Sequence, residues 1–151
     1  TDCPKMQKMF SDDLRFTKGA SHCHTHNSVD DATSTEKDVC AVAIEYGADA
    51  AFISDHGTAM GWDDFDEAVK KINVKRAEQG LPPLKPIFCV EAYHIYRVIK
   101  AKTHLMLIAM NERGLHKIRT AMSRGVFVEN GLKYTIKWQK FEAFLKDTSV
   151  I

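Results

Sequence analysis

The sequence predicts an α/β fold of alternating strands and helices, amounting to the first half to two-thirds of a β/α barrel. Three observations predict it. The apolar runs at residues 50–54, 86–90 and 105–110 have the length and composition of buried strands. Stretches with apolar residues at helical spacing separate or follow them. Asp55, Glu91 and His104 fall at the ends of the apolar runs, where a sheet of this kind gathers its functional groups. A complete barrel takes about 250 residues, so a chain of 151 holds only part of one.

Residues 1–20 are polar and weakly patterned, and read as an arm leading into a domain that covers 21–151. Ser21-His22-Cys23-His24-Thr25-His26 is read as the first strand. Alternate side chains of an extended chain share a face, so His22, His24 and His26 are expected on one side. A single histidine is usually an ordinary surface or core residue. Three at alternate positions are a metal-binding arrangement, because imidazole suits zinc, manganese and iron. Residues 27–31 are rich in turn formers and make a loop.

A helix follows, with Thr33-Ser34-Thr35-Glu36 matching the capping box, Val39, Val42, Ala43 and Tyr46 at helical spacing, and Gly47 at its end. The strand at 50–54 then delivers Asp55-His56-Gly57 at its C-terminal end. In the next helix Trp62, Phe65, Val69 and Ile72 share a side, with acids at the start and bases at the end to suit the helix dipole. Gly80-Leu81-Pro82-Pro83 stops it. The third strand ends at Glu91 and His104 opens the fourth. Asn111 caps a helix carrying Leu115, Ile118 and Met122, which Gly125 closes. Residues 126–128 and 133–135 flank Asn130-Gly131 as a hairpin. A last helix groups Trp138, Phe141 and Leu145, and residues 149–151 start a further strand. Strands joined through helices imply parallel pairing.

Composition sets limits. With 44% hydrophobic and 27% charged residues the chain suits one globular domain. No apolar run reaches about 18 residues, so no membrane partner is expected, and the polar opening is not a secretory signal. The chain opens on Thr1 rather than methionine and reads as a piece of a longer protein. Cys3, Cys23, Cys40 and Cys89 include no C-x-x-C pair, which fits reduced thiols in a cytoplasmic protein. Residues 1–91 hold ten basic against sixteen acidic side chains, net −6, and residues 92–151 hold eleven against four, net +7. An acidic part that holds metals and a basic part that attracts a phosphate backbone would fit that split, although bases such as Lys117, Arg119 and Arg124 also simply solvate a helix face. Ser54, Asp55 and His56 are adjacent, and neighbours on a strand point oppositely, which excludes a hydrolase triad. Asp55 is instead expected to orient a liganding histidine.

Taken together, His22-Cys23-His24-Thr25-His26, Ile53-Ser54-Asp55-His56-Gly57, Lys85-Pro86-Ile87 through Glu91-Ala92-Tyr93, and His104-Leu105 through Asn111-Glu112-Arg113-Gly114 resemble the polymerase and histidinol phosphatase family. More narrowly, they are similar to its bacterial replicative polymerase III alpha branch. Four motifs in order over about residues 20–125 carry the likeness. It implies a distorted seven-stranded β/α barrel whose strand ends hold up to three divalent ions, zinc, manganese or iron. His24, His26, Asp31, His56, Glu91 and His104 would be the ligands, with Asp30 as a rival to Asp31. The nucleophile would be water activated by metal rather than a side chain.

The resemblance further implies phosphodiester hydrolysis at DNA 3′ ends within a DNA-directed DNA polymerase, with DNA and other replicase subunits as partners. Its alternatives are a free-standing phosphatase of small monoesters and a scaffold that binds a proofreading subunit. Some features depart from the pattern. Cys89 replaces a usual glycine, the loop from His26 to Asp31 is two residues short, residues 73–84 look inserted, and the family's later ligands would lie past Ile151.

Overall fold

A computed structural model describes residues 21–95, 102–123, 126–127, 134–137 and 148–151. The N-terminal arm, the Asn130-Gly131 turn, Gly125 and the helix expected around Trp138, Phe141 and Leu145 lie outside these residues. Among the described residues the elements run α1 (Glu36–Glu45), β1 (Ala50–Ile53), α2 (Trp62–Glu78), β2 (Lys85–Ile95), β3 (Lys102–Ile108), α3 (Glu112–Ser123), β4 (Val126–Phe127) and β5 (Tyr134–Lys137).

Strand β2 organises the sheet. It pairs in parallel with β1 from Ala50↔Lys85 to Ile53↔Phe88, and further along in parallel with β5. Its other edge takes β3, antiparallel, from Cys89↔Ile108 to Ile95↔Lys102. The expectation of parallel pairing is corrected for β3. Only residues 96–101 separate β2 from β3, and a parallel crossover needs a dozen residues or more. The hairpin of β4 and β5 forms as expected, antiparallel through Val126↔Thr135. The sheet order is β1-β2-β5-β4 with β3 on β2. Among the described residues this mixed α/β sheet has five strands and does not close into a barrel.

The stretch at 21–26 is not a laddered strand. It lies against the end of β1, where Ser54 N donates to Cys23 O at 2.8 Å and Cys23 N to Ser54 Oγ at 2.9 Å. The chain turns from His26 onward. The C-terminal residues 149–151 make an isolated antiparallel bridge, Ala109↔Val150, rather than a full strand. Gly114 allows this approach: a Cβ there would sit 2.0 Å from Ser149 O.

Helices α1, α2 and α3 cover the face of the sheet that carries Ile53, Val90 and Leu107, and Trp62, Phe65, Val69, Leu84 and Ile118 complete that core. Each such side chain contributes roughly 1.5–3 kcal/mol on burial. Trp62 Nε1 also donates to Cys89 O at 3.2 Å, tying α2 to β2. In α2 the expected stripe of Trp62, Phe65, Val69 and Ile72 does face the core. Asn73 then exchanges two hydrogen bonds with the backbone of Leu84, at 2.8 and 2.9 Å, which anchors the segment read as an insertion. In α1 two expectations shift. The cap is Thr35, boxed with Asp38, two residues beyond the expected box of Thr33 and Glu36. Val42 and Tyr46 are exposed at 50% and 72%, while Glu36 and Cys40 are buried.

Candidate metal centre

The side chains of β2 alternate, so Glu91 and Tyr93 emerge on the sheet face opposite the helices. Register does the rest. Tyr93 pairs with His104 across β3, and His104 Nδ1 reaches diagonally to Glu91 Oε1 at 3.0 Å. On the other edge, His56 forms a parallel bridge with Glu91. Glu91 N donates to Asp55 O at 3.1 Å, and Gly57 N donates to Glu91 O at 2.9 Å. Gly57 adopts φ 61°, a left-handed conformation that glycine takes without strain. The chain therefore leaves β1 sharply and sets His56 beside Glu91.

Glu91 Oε2 lies 2.9 Å from His22 Nε2, 3.3 Å from His24 Nε2 and 3.4 Å from His56 Nδ1. One carboxylate, only 7% exposed, thus meets four imidazoles. Asp31 Oδ2 stands 3.4 Å from His56 Nε2 and 3.6 Å from His24 Nδ1. The rings are crowded: His24 stacks on His56 at 4.4 Å between centroids, and Tyr93 stacks with His56 at 5.5 Å. Burial lowers the pKa of His56 below its ordinary 6.5, with His24 and His104 adding to the effect and Glu91 and Asp31 opposing it. A neutral His56 has a lone pair to offer.

Three overlapping donor groups result: His22, His24 and Glu91; His24, Asp31 and His56; His56, Glu91 and His104. Their chemistry fits divalent cations, since imidazole and carboxylate are the ligands zinc, manganese and iron take. Two further observations agree. His56 Nδ1 is buried without a hydrogen-bond partner, and the Nε2 atoms of His22 and His24 lie only 2.7 Å apart. Both make sense as nitrogens arranged around a shared ion.

Of the residues expected from sequence, His24, Asp31, His56, Glu91 and His104 come together. His26 does not. It is exposed, its N–H donates to Ser34 O at 2.8 Å, and it belongs to none of the three groups. His22 and His24 alternate onto one face as expected, and at His26 the backbone turns and leaves that pattern. His22 takes the place given to His26, which shifts the histidine pair back by two residues. Asp30, with φ 69°, forms the turn and leaves Asp31 to face the imidazoles. Asp55 bonds no imidazole directly. Its carboxylate accepts from Thr25 N, Thr25 Oγ1 and Ser28 Oγ at 2.6, 2.8 and 2.9 Å. Ser28, which the sequence reading passed over, is the group that meets His24, 3.0 Å from Nδ1. Cys89 is fully buried, and burial pushes its thiol up to about 12. It packs with Ala50 and Phe52 rather than joining the donor groups.

With this geometry, the PHP domain family matches residues 21–149, and the chain belongs to that family. It is 32% identical over 119 residues to a DNA polymerase III subunit alpha of Campylobacter jejuni, and 29% identical over 106 residues to that of Chlamydia muridarum. Those alignments cover 75% and 64% of this chain but only 9% and 8% of the two relatives. Among solved structures, a Bifidobacterium adolescentis protein, provisionally named a metal-dependent phosphoesterase, is 25% identical with a TM-score of 0.48. That match covers 72% of this chain and 33% of the other. Among the described residues no helix is long and apolar enough to cross a membrane.

Proposed function

We propose that the domain hydrolyses phosphodiesters with divalent cations held by His22, His24, Asp31, His56, Glu91 and His104, and that it works at DNA 3′ ends within a polymerase III alpha-type chain. The single observation that carries this reading is the buried Glu91 carboxylate ringed by four imidazoles. A buried carboxylate needs compensating positive charge. Cations bound by the surrounding imidazole nitrogens would supply that charge. When bound, such ions activate water at neutral pH and stabilise the leaving oxygen. The chain's own part is to fix the donors: β2 presents Glu91, β3 presents His104, the turn after β1 presents His56, and the segment before α1 presents His22, His24 and Asp31. The polymerase branch is supported by the subunit alpha relatives, and a seven-stranded barrel completing this sheet is part of the same reading.

The test is to supply manganese and single-stranded DNA to the protein at its natural full length. Shortening from the 3′ end, lost in Glu91→Gln, is expected. Hydrolysis of small phosphomonoesters with DNA left intact would replace this reading with a free-standing phosphatase. Stable binding of other replicase subunits with neither activity would replace it with a scaffold.

A further inference from the structure

Resting on that metal reading, we infer that Ser28 is a positioning residue: its hydroxyl relays the acceptor character of Asp55 to His24 and holds that imidazole with its proton on Nδ1 and its lone pair on Nε2.

Asp55 is 1% exposed, and Thr25 and Ser28 are fully buried, so water does not alter the count of protons. An ionised carboxylate only accepts. Asp55 Oδ1 accepts from Thr25 N and Ser28 Oγ, and Oδ2 accepts from Thr25 Oγ1. Ser28 has a single hydroxyl proton, and it goes to Asp55. Two lone pairs remain on Ser28 Oγ. One accepts the backbone N–H of His56 at 3.0 Å. The other faces His24 Nδ1 at 3.0 Å. A bond there needs a proton, and only the imidazole is left to provide it. The bond to Ser28 thus places a proton on His24 Nδ1, and Nε2, which faces Glu91 Oε2 and His22, is the nitrogen left to bind a cation. Metal-binding histidines commonly donate their other N–H in this way.

The assignment also limits the overlapping donor groups. His24 Nδ1 lies 3.6 Å from Asp31 Oδ2, but a protonated nitrogen cannot ligate. His24 then enters its donor groups through Nε2 alone. Ser28 meanwhile holds both halves of the site in register, since it bonds the ring of His24 and the backbone of His56 together.

The test reads the proton directly. In the metal-free, 15N-labelled 151-residue chain above the titration range of the rings, two-bond nitrogen–proton correlation should place the His24 proton on Nδ1 alone. A proton on Nε2 overturns the inference. Ser28→Ala should populate both tautomers and weaken zinc binding by about 10–100-fold, the usual cost of losing such a partner. Ser28→Thr, which keeps the hydroxyl, should restore both readouts. A single Nδ1–H tautomer surviving in Ser28→Ala would also overturn it. If Ser28→Ala does not fold, the unmutated spectrum and that of Ser28→Thr decide. An Nδ1–H tautomer in a chain that binds no zinc would sustain the relay and sink the metal reading instead.

Discussion

The two ends of one sheet face differ in chemistry although the same strands build both. Along β2, Ile87 and Cys89 share a face with Glu91 and Tyr93; along β3, Ile108 and Met106 share it with His104. One end packs Ala50, Phe52 and Cys89 with Ile87, Met106 and Ile108. The other gathers four imidazoles and a carboxylate. Strand alternation assigns a residue to a face but says nothing about its position along that face. What changes along the way is the neighbour on β1: Ala50 and Phe52 flank the apolar end, whereas past Ile53 the chain turns and brings His56 instead.

Breaking that contrast from its polar end has the largest expected effect. Glu91 belongs to two of the three donor groups. Glu91→Gln should lower zinc or manganese affinity by more than about 100-fold, beyond the loss typical of an outer partner, as read by calorimetry or element analysis. At the apolar end, Phe52→Ala should leave metal affinity within a fewfold. It should cost about 3–5 kcal/mol of unfolding free energy, the usual range for a buried phenylalanine, because Phe52 is 7% exposed. If metal affinity fell with it, the two ends would not be separable. Gly114→Ala drives a methyl group into the backbone at Ser149. It should destabilise by about 1–3 kcal/mol, with faster hydrogen exchange at Met110, whose N–H donates to Ser149 O at 2.9 Å.

Smaller effects sharpen the contrast inside the histidine stretch. His26→Ala should leave metal binding unchanged while His22→Ala weakens it, whereas uniform alternation predicts that both weaken it. The last effect concerns pH. Burial depresses the folded-state pKa of His56, so on acidification the unfolded chain binds that proton first. The metal-free chain should hold this contribution above about pH 6.5 and lose it as the pH falls below, seen as a drop in denaturation midpoint. Stability that rose on acidification across the same window would contradict the assigned burial.

Much of the fold was legible because local signals agreed with the tertiary outcome. The apolar run of β1 and the stripe of α2 carry enough period and composition to be read alone. Val42 and Tyr46 were misplaced because helical spacing allows more than one face, and packing against α2 and β1 selects the one with Val39, Cys40 and Ala43. The ligand types were legible for a similar reason, since histidines at alternate positions and acids at strand ends are short-range patterns. His22 and Ser28 were harder to see: one needs the point at which the chain stops being extended, and the other bonds partners 4, 27 and 28 residues away.

By itself, then, the sequence determined the family, the α/β class and most of the candidate donors, since these follow from short-range patterns of residue type. Tertiary structure alone decided that β3 runs antiparallel, that His22 rather than His26 joins His24, and that Glu91 stands at the centre. Those outcomes depend on which strands pair and where the backbone turns, and contacts between residues far apart in the chain set both.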